Sequence, residues 1–246
     1  MIMSSTSQSK EIKQSLFINT KINNIMKKLI ITAALGLIIP LMSIGQSTLG
    51  PGTITTTIAG SPHDFSTQAW NPYNATTTLG GQICQPCHTP HNGDLTVVDA
   101  PLWNHAFTTA TYQMYTGFEF GPGGAGYGVT APDGTSKLCL SCHDGSVALG
   151  SFGAQIGTTF MTGGAALATD LRNDHPISFV YDSVQAGGVW ASSHIYSGTN
   201  TIAARLLDEN GKMQCTSCHG VHSNSRGYFL RMSNQGSALC LACHKK

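Results

Sequence analysis

Downstream of residue 46 the chain has no long apolar stripe at helical spacing. Gly, Ser, Thr, Pro and Asn interrupt it throughout, with 28 glycines and 10 prolines in 246 residues. Such a chain is expected to build only a weak side-chain core. It also has no apolar run long enough to span a bilayer, because Leu29–Met42 falls short of the ~20 residues required. Finally, it has no cysteine outside four short clusters, and none directly after residue 45 to carry a lipid.

The one long apolar run reads as a targeting segment. In MKKLIITAALGLIIPLMSIG, residues 26–45, Lys27 and Lys28 form a basic start and Leu29–Met42 an apolar centre. Ser43 and Gly45 are the small residues of a cleavage site before Gln46. Residues 1–25 precede Met26 and read as an upstream extension from a mis-assigned start. The expected mature protein is one domain, 46–246, with no membrane span after processing. Removing 1–45 takes away five Lys and one Glu, which leaves 8 basic and 11 acidic residues, a formal −3. No basic stripe survives to suit a nucleic acid.

What the chain does have is cysteine in one pattern. All eight cysteines fall in four C-x-x-C-H motifs: Cys84/Cys87/His88, Cys139/Cys142/His143, Cys215/Cys218/His219 and Cys240/Cys243/His244. Two thiols three residues apart can add across the two vinyl groups of one porphyrin, and the next residue offers an imidazole to its iron. Structural zinc, disulfides and a redox-active C-x-x-C would each use the cysteines. None of them needs a histidine at the same fifth place four times. With 10 histidines in 246 residues, chance placement is on the order of one in 400,000. The expected cofactors are four covalently bound haem c groups, with His88, His143, His219 and His244 as proximal iron ligands.

The expected fold class follows. It is mostly irregular coil, with a few short helices and short strands, wrapped around a stacked four-haem core that replaces the missing side-chain core. Gly117–Gly134 is expected to be a turn-rich loop, and Thr53–Ile58 a short strand able to pair with a neighbour's edge or within its own chain. Short helices are expected at Ala165–Asn173 and Ser237–His244. CQPCHTPH, CLSCH, CTSCHGVH and CLACH alternate as A-B-A-B. This order suggests duplication of a two-haem unit, over about 61–150 and 170–246.

An iron with one histidine keeps an open position for substrate, whereas an iron with two favours electron transfer. Candidate second ligands are His63, His91, His105, His175 and His222, of which four are expected to serve. His194 has no local support. His91 and His222 lie three residues beyond a motif histidine. On a helix that spacing shares a face, so each would reach a neighbouring haem rather than its own. A hydrogen bond from His91 to a propionate is the alternative. Met114, Met161, Met213 and Met232 read as packing residues, and Arg172 with Asp170 and Asp174 as a solvated loop.

The set SPHDFS, CQPCHTPHNG, PLWNH, LCLSCHDGSVA, NDHPISFVYD, QCTSCHGVH and LCLACH resembles the doubled C-x-x-C-H multihaem cytochromes c. In particular it resembles exported tetrahaem cytochromes, some of which polymerise into extracellular electron-conducting filaments. The likeness covers most of 61–246. It implies bis-histidine haems in a closely stacked chain, electron transfer without catalysis, and location outside the cell or at its surface. The implied partners are redox cytochromes or an extracellular electron acceptor, and a homopolymer in which His63 ligates a haem of the neighbouring subunit. The alternatives are a soluble periplasmic shuttle and a multihaem reductase of a small oxyanion.

Overall fold

The structure is a computed structural model that describes residues 55, 57–77, 80–97, 100, 102–115, 128–181 and 188–246. The extension 1–25, the targeting segment 26–45, most of the loop 117–134, and Thr53, Ile54 and Thr56 lie outside the described residues. Among the described residues most of the chain is coil. The regular elements are short: helix α1 Gly134–His143, strand β1 Phe179–Val180, the hairpin β2 Ile195–Ser197 and β3 Asn200–Thr201, helix α2 Ile202–Leu206, β4 Lys212–Met213, α3 Cys215–Cys218 and α4 Ala238–Leu241. β1 pairs antiparallel with β4, Phe179 opposite Met213 and Val180 opposite Lys212. Among the described residues no helix is long and apolar enough to cross a membrane.

Short elements give small cores. Phe179, Tyr181, Ile202, Leu206, Met213, Ala242 and Cys243 form one cluster. Val97, Ala100, Trp103 and Leu138 form a second, against which Cys87 packs. Met114, Leu140 and Leu171 form a third. Motif residues therefore sit inside or beside the clusters, so the apolar packing gathers around the attachment sites. Met114 and Met213 are buried in these clusters and Met232 packs against one, in keeping with a packing role.

Two expected helices need correction. Ala165–Asn173 is not helical. A 3-10 turn covers Gly163–Ala165, Ala168 is left-handed with φ 58°, and the segment then turns to Gln113. The Gln113 amide donates to Thr169 O at 2.9 Å and the Leu171 amide to Gln113 O at 2.8 Å. Bonds to a distant chain have replaced helical ones. Ser237–His244 contains a shorter helix, α4, whose start is delayed because Ser237 is itself left-handed at φ 63°. At Thr53–Ile58 no strand runs through the described positions. Thr55 forms a single antiparallel bridge to Asn224 of its own chain, N–H to O 3.1 Å, and the Ile58 carbonyl closes a turn with Ser61.

The strongest long-range tie joins α1 to α3. Gln214, directly before Cys215, is buried. Its Oε1 accepts from Ser136 Oγ at 2.5 Å and Ser178 Oγ at 3.3 Å, and its Nε2 donates to Asp133 Oδ1 and Asp208 Oδ2, both at 2.9 Å. The Cys215 amide donates to Ser136 Oγ at 2.9 Å, and Thr135 and Thr216 hydroxyls meet at 2.6 Å. Every polar atom of the Gln214 side chain is used, as a buried amide requires. Gly134 makes room: its φ is +49°, and a Cβ there would lie 2.7 Å from Gln214 Nε2. Gly134→Ala should destabilise the protein by about 1 kcal/mol or more in a thermal melt, through backbone strain and this collision.

Lys212 closes the network with an ion pair to Asp133. Burial opposes ionisation of Asp133, but hydrogen bonds from Lys212, Gln214 and Ser178 and the Lys212 charge outweigh it. They hold the carboxyl below the usual carboxylate range. A lowered folded pKa contributes stability above the unfolded value and loses it as pH falls through the folded one. Lys212→Met should therefore cost about 0.5–1 kcal/mol at neutral pH, solvent screening allowed for. The deficit should fade under acid, as melts at neutral and low pH would show.

Candidate metal centre

Each C-x-x-C-H motif folds as one helical turn. The histidine amide donates to the carbonyl of the first cysteine in His88→Cys84 (2.9 Å), His219→Cys215 (3.1 Å) and His244→Cys240 (2.9 Å), and the second motif lies within α1. A turn places the two thiols three residues apart on one face. After the turn, the chain is clamped by a second backbone segment in three of the motifs. Asn104 N donates to Cys87 O (3.0 Å) and Thr89 N to Leu102 O (3.0 Å). Likewise Arg231 N donates to Cys218 O (2.9 Å) and Gly220 N to Phe229 O (2.7 Å), while Trp190 N donates to Cys243 O (2.7 Å) and Lys245 N to Gly188 O (3.0 Å). The second motif uses a different tie, Leu167 N to His143 O at 2.7 Å.

This clamp corrects the expected setting of His91 and His222. No helix continues past His88 or His219: both are bridged, to Trp103 and Leu230. A shared helical face is therefore not how His91 and His222 are placed. Gly93 permits the tight return beside His91, since a Cβ there would lie 2.6 Å from Leu102 Cα.

The histidines nevertheless come together across the chain. His88 and His222 have ring centroids 6.2 Å apart at 23°, His63 and His143 6.0 Å at 51°, and His175 and His244 6.4 Å at 83°. Each pair joins one motif histidine to one candidate second ligand. Two imidazoles on opposite faces of one metal ion have centroids about 6.3 Å apart, from a metal–nitrogen bond of about 2.0–2.1 Å and roughly 1.1 Å from nitrogen to ring centre. All three spacings fit an iron between the rings.

Ring orientation supports the same fit. Nδ1 of His143 donates to Ala165 O (2.8 Å), His219 to Tyr228 O (2.8 Å), His175 to Pro176 O (2.9 Å) and His105 to Ala106 O (2.9 Å). A carbonyl only accepts, so Nδ1 carries a proton, as it does in an imidazole bound to a metal through Nε2. His105 is buried and its Nε2 has no hydrogen-bond partner. His63 lies half-buried under Phe229, rings stacked at 4.5 Å. Burial, then the charges of His143 and His219, push its pKa down to about 4, which keeps it neutral.

The structure brings His91 and His194 into no such pair. His91 is exposed, and among the described residues no histidine ring lies against it. His194 stacks on Trp190 at 4.4 Å and 10°. Arg172 forms an exposed ion pair with Asp170, as a solvated loop does.

The eight cysteines are all free, so no disulfide framework forms. Among the described residues no group of three or more His, Cys, Asp or Glu is arranged to hold a metal ion, so the zinc alternative finds no tetrahedral site. Burial pushes the Cys87 thiol up to about 11 and Cys142 up to about 12, with Cys84 and Cys87 respectively adding to it. Interaction with Cys215 raises the Cys139 thiol well above its ordinary value, and interaction with Cys139 lowers the Cys215 thiol to about 7. Beside them Cys215, Cys218 and His219 line a largely apolar cavity with Met114, Leu140 and Ile177, a surface suited to a porphyrin face. The Gln214 network and the recurring clamp were missed in the sequence reading. Nothing local marks either, since their partners lie up to 81 residues away.

The family described as Doubled CXXCH motif matches residues 209–246, the stretch holding the third and fourth motifs. The match indicates a multihaem c-type cytochrome-like protein with covalently bound haem c. A comparison with curated proteins gives no match.

Proposed function

We propose that this chain carries electrons along four covalent haem c groups, each iron held by two imidazoles. The single observation behind this reading is the set of three histidine pairs at 6.0–6.4 Å, each crossing between a motif and a distant segment. His222 serves with His88, His63 with His143, and His175 with His244. For His219 the candidates are His91 and His105. Of these only His105 has its Nδ1 tied to a carbonyl and a buried Nε2 without a partner. Haem iron supplies a one-electron ferric–ferrous couple when bound. If two histidines held each iron, no coordination site would remain for a substrate, so the reading is a carrier and not a reductase. Visible and electron paramagnetic resonance spectra of the haem-loaded mature protein test it. Four low-spin irons are expected, and a stoichiometric high-spin iron in the unmodified protein would revive the reductase.

The motif resemblance supports a finer reading: export through residues 26–45 and assembly into an extracellular conducting filament that exchanges electrons with other cytochromes or an extracellular acceptor. One observation favours the soluble periplasmic shuttle instead. His63, the residue that would bond to a neighbouring subunit, lies against His143 of its own chain. Negative-stain microscopy of protein taken from the cell surface separates the two. Filaments one subunit wide support the conduit, and discrete particles the shuttle.

A further inference from the structure

The tie between α1 and α3 does more than hold two short helices together. α1 carries Cys139 and Cys142, and α3 begins at Cys215. The network acts at the N-terminal side of both: Asp133 directly precedes α1, Ser136 lies in its first turn, and Gln214 directly precedes α3. Ser136 Oγ is at once a donor to Gln214 Oε1 and an acceptor from the Cys215 amide. One hydroxyl thus sets the backbone of the third motif against the first turn of the helix that bears the second. Leu140 of α1 lines the cavity beside Cys215, Cys218 and His219.

We propose that Gln214 is a positioning residue: with Asp133, Ser136 and Asp208 it fixes the approach of the second and third haem attachment sites, and so the central step of the electron path. This rests on the reading that the four motifs hold haem. The geometry gives the path an order. Cys87 packs in the cluster that contains Leu138 of α1, which joins the first site to the second. The clasp joins the second to the third. Met213, two residues before Cys215, shares a cluster with Ala242 and Cys243, which joins the third to the fourth. Consecutive motifs are thus linked through shared clusters and the clasp, while His222 beside His88 also brings the segment after the third motif to the first. The junction between the two halves, second to third, has the densest hydrogen bonding. Buried polar networks of this kind specify one arrangement where apolar contact alone would allow sliding.

The test is Gln214→Leu in the haem-loaded mature protein, with three readouts. Intact mass counts the attached haems. Circular dichroism in the Soret band reports how closely and at what angle neighbouring porphyrins are held. A thermal melt reports stability. The expected result is an unchanged haem count, with the Soret couplet of the unmodified protein roughly halved. Asn71→Ala, which removes a buried loop tie to Phe65 O and Gln82 O outside the clasp and the clusters, should lower the melting temperature and leave the couplet intact. A Gln214→Leu couplet equal to that of the unmodified protein, with only the melt lowered, would overturn the proposal. If Gln214→Leu fails to load or fold, Thr135→Val removes only the Thr135–Thr216 hydroxyl pair. It should reduce the couplet in the same sense, and no change there would equally overturn it. Absence of attached haem in the unmodified protein would instead sink the reading on which the proposal rests.

Discussion

On the proposed bis-histidine reading, His222→Ala should convert one haem from low-spin to high-spin without loss of attached haem. The His222 ring lies 6.2 Å from that of His88. Removing it leaves the first iron with one imidazole and an open position that water or a small ligand can enter. About one quarter of the low-spin signal should be lost, and the variant should bind carbon monoxide or cyanide at one site. His63→Ala and His175→Ala should behave alike for the second and fourth irons, because their rings stand at 6.0 and 6.4 Å from His143 and His244. His194→Ala should leave every iron low-spin, since that ring stacks on Trp190 instead. Should His222→Ala keep a fully low-spin spectrum, the cross-chain pairing is wrong. His91 and His105 then become the residues to replace next.

The second large effect is on stability. Replacing both attachment cysteines of the second motif, Cys139→Ala with Cys142→Ala, should remove one haem. It should lower the melting temperature by about 5–15 °C, the scale of losing one large core group. The same double replacement in the fourth motif, Cys240→Ala with Cys243→Ala, should also remove one haem but cost less. The difference follows from burial. α1 buries Ser136, Leu138, Leu140 and Ser141, and Leu140 alone anchors a cluster with Met114 and Leu171. α4 buries no residue, although Cys243 touches the largest cluster. The helix of the second motif is the more deeply packed of the two. Equal losses on melting would show that α1 is not the centre.

The four C-x-x-C-H turns were legible in the chain because their spacing is local. Two thiols and an imidazole within five residues need no tertiary context, and the same turn forms at Cys84, Cys215 and Cys240 through one repeated hydrogen bond. The lack of long helices was legible for the same reason: glycine, proline and Asn punctuation stops regular hydrogen bonding wherever it falls. Helix positions were less so. Ala165–Asn173 has acceptable helical composition, yet bonds to Gln113 and the left-handed Ala168 hold it extended. Local propensity lost there to a partner about 56 residues away.

By itself, then, the sequence determined the four attachment turns, the coil-rich character and the surplus of histidines. Only the tertiary structure decided which histidine faces which, that His222 stands by His88 rather than by its neighbour His219, and that the Cys139 and Cys215 sites meet through Gln214. The reason is range. A thiol pair is set by bonds within one turn, whereas an imidazole pair or a buried amide hydrogen-bonded at both its oxygen and its nitrogen exists only after segments tens of residues apart have closed on one another.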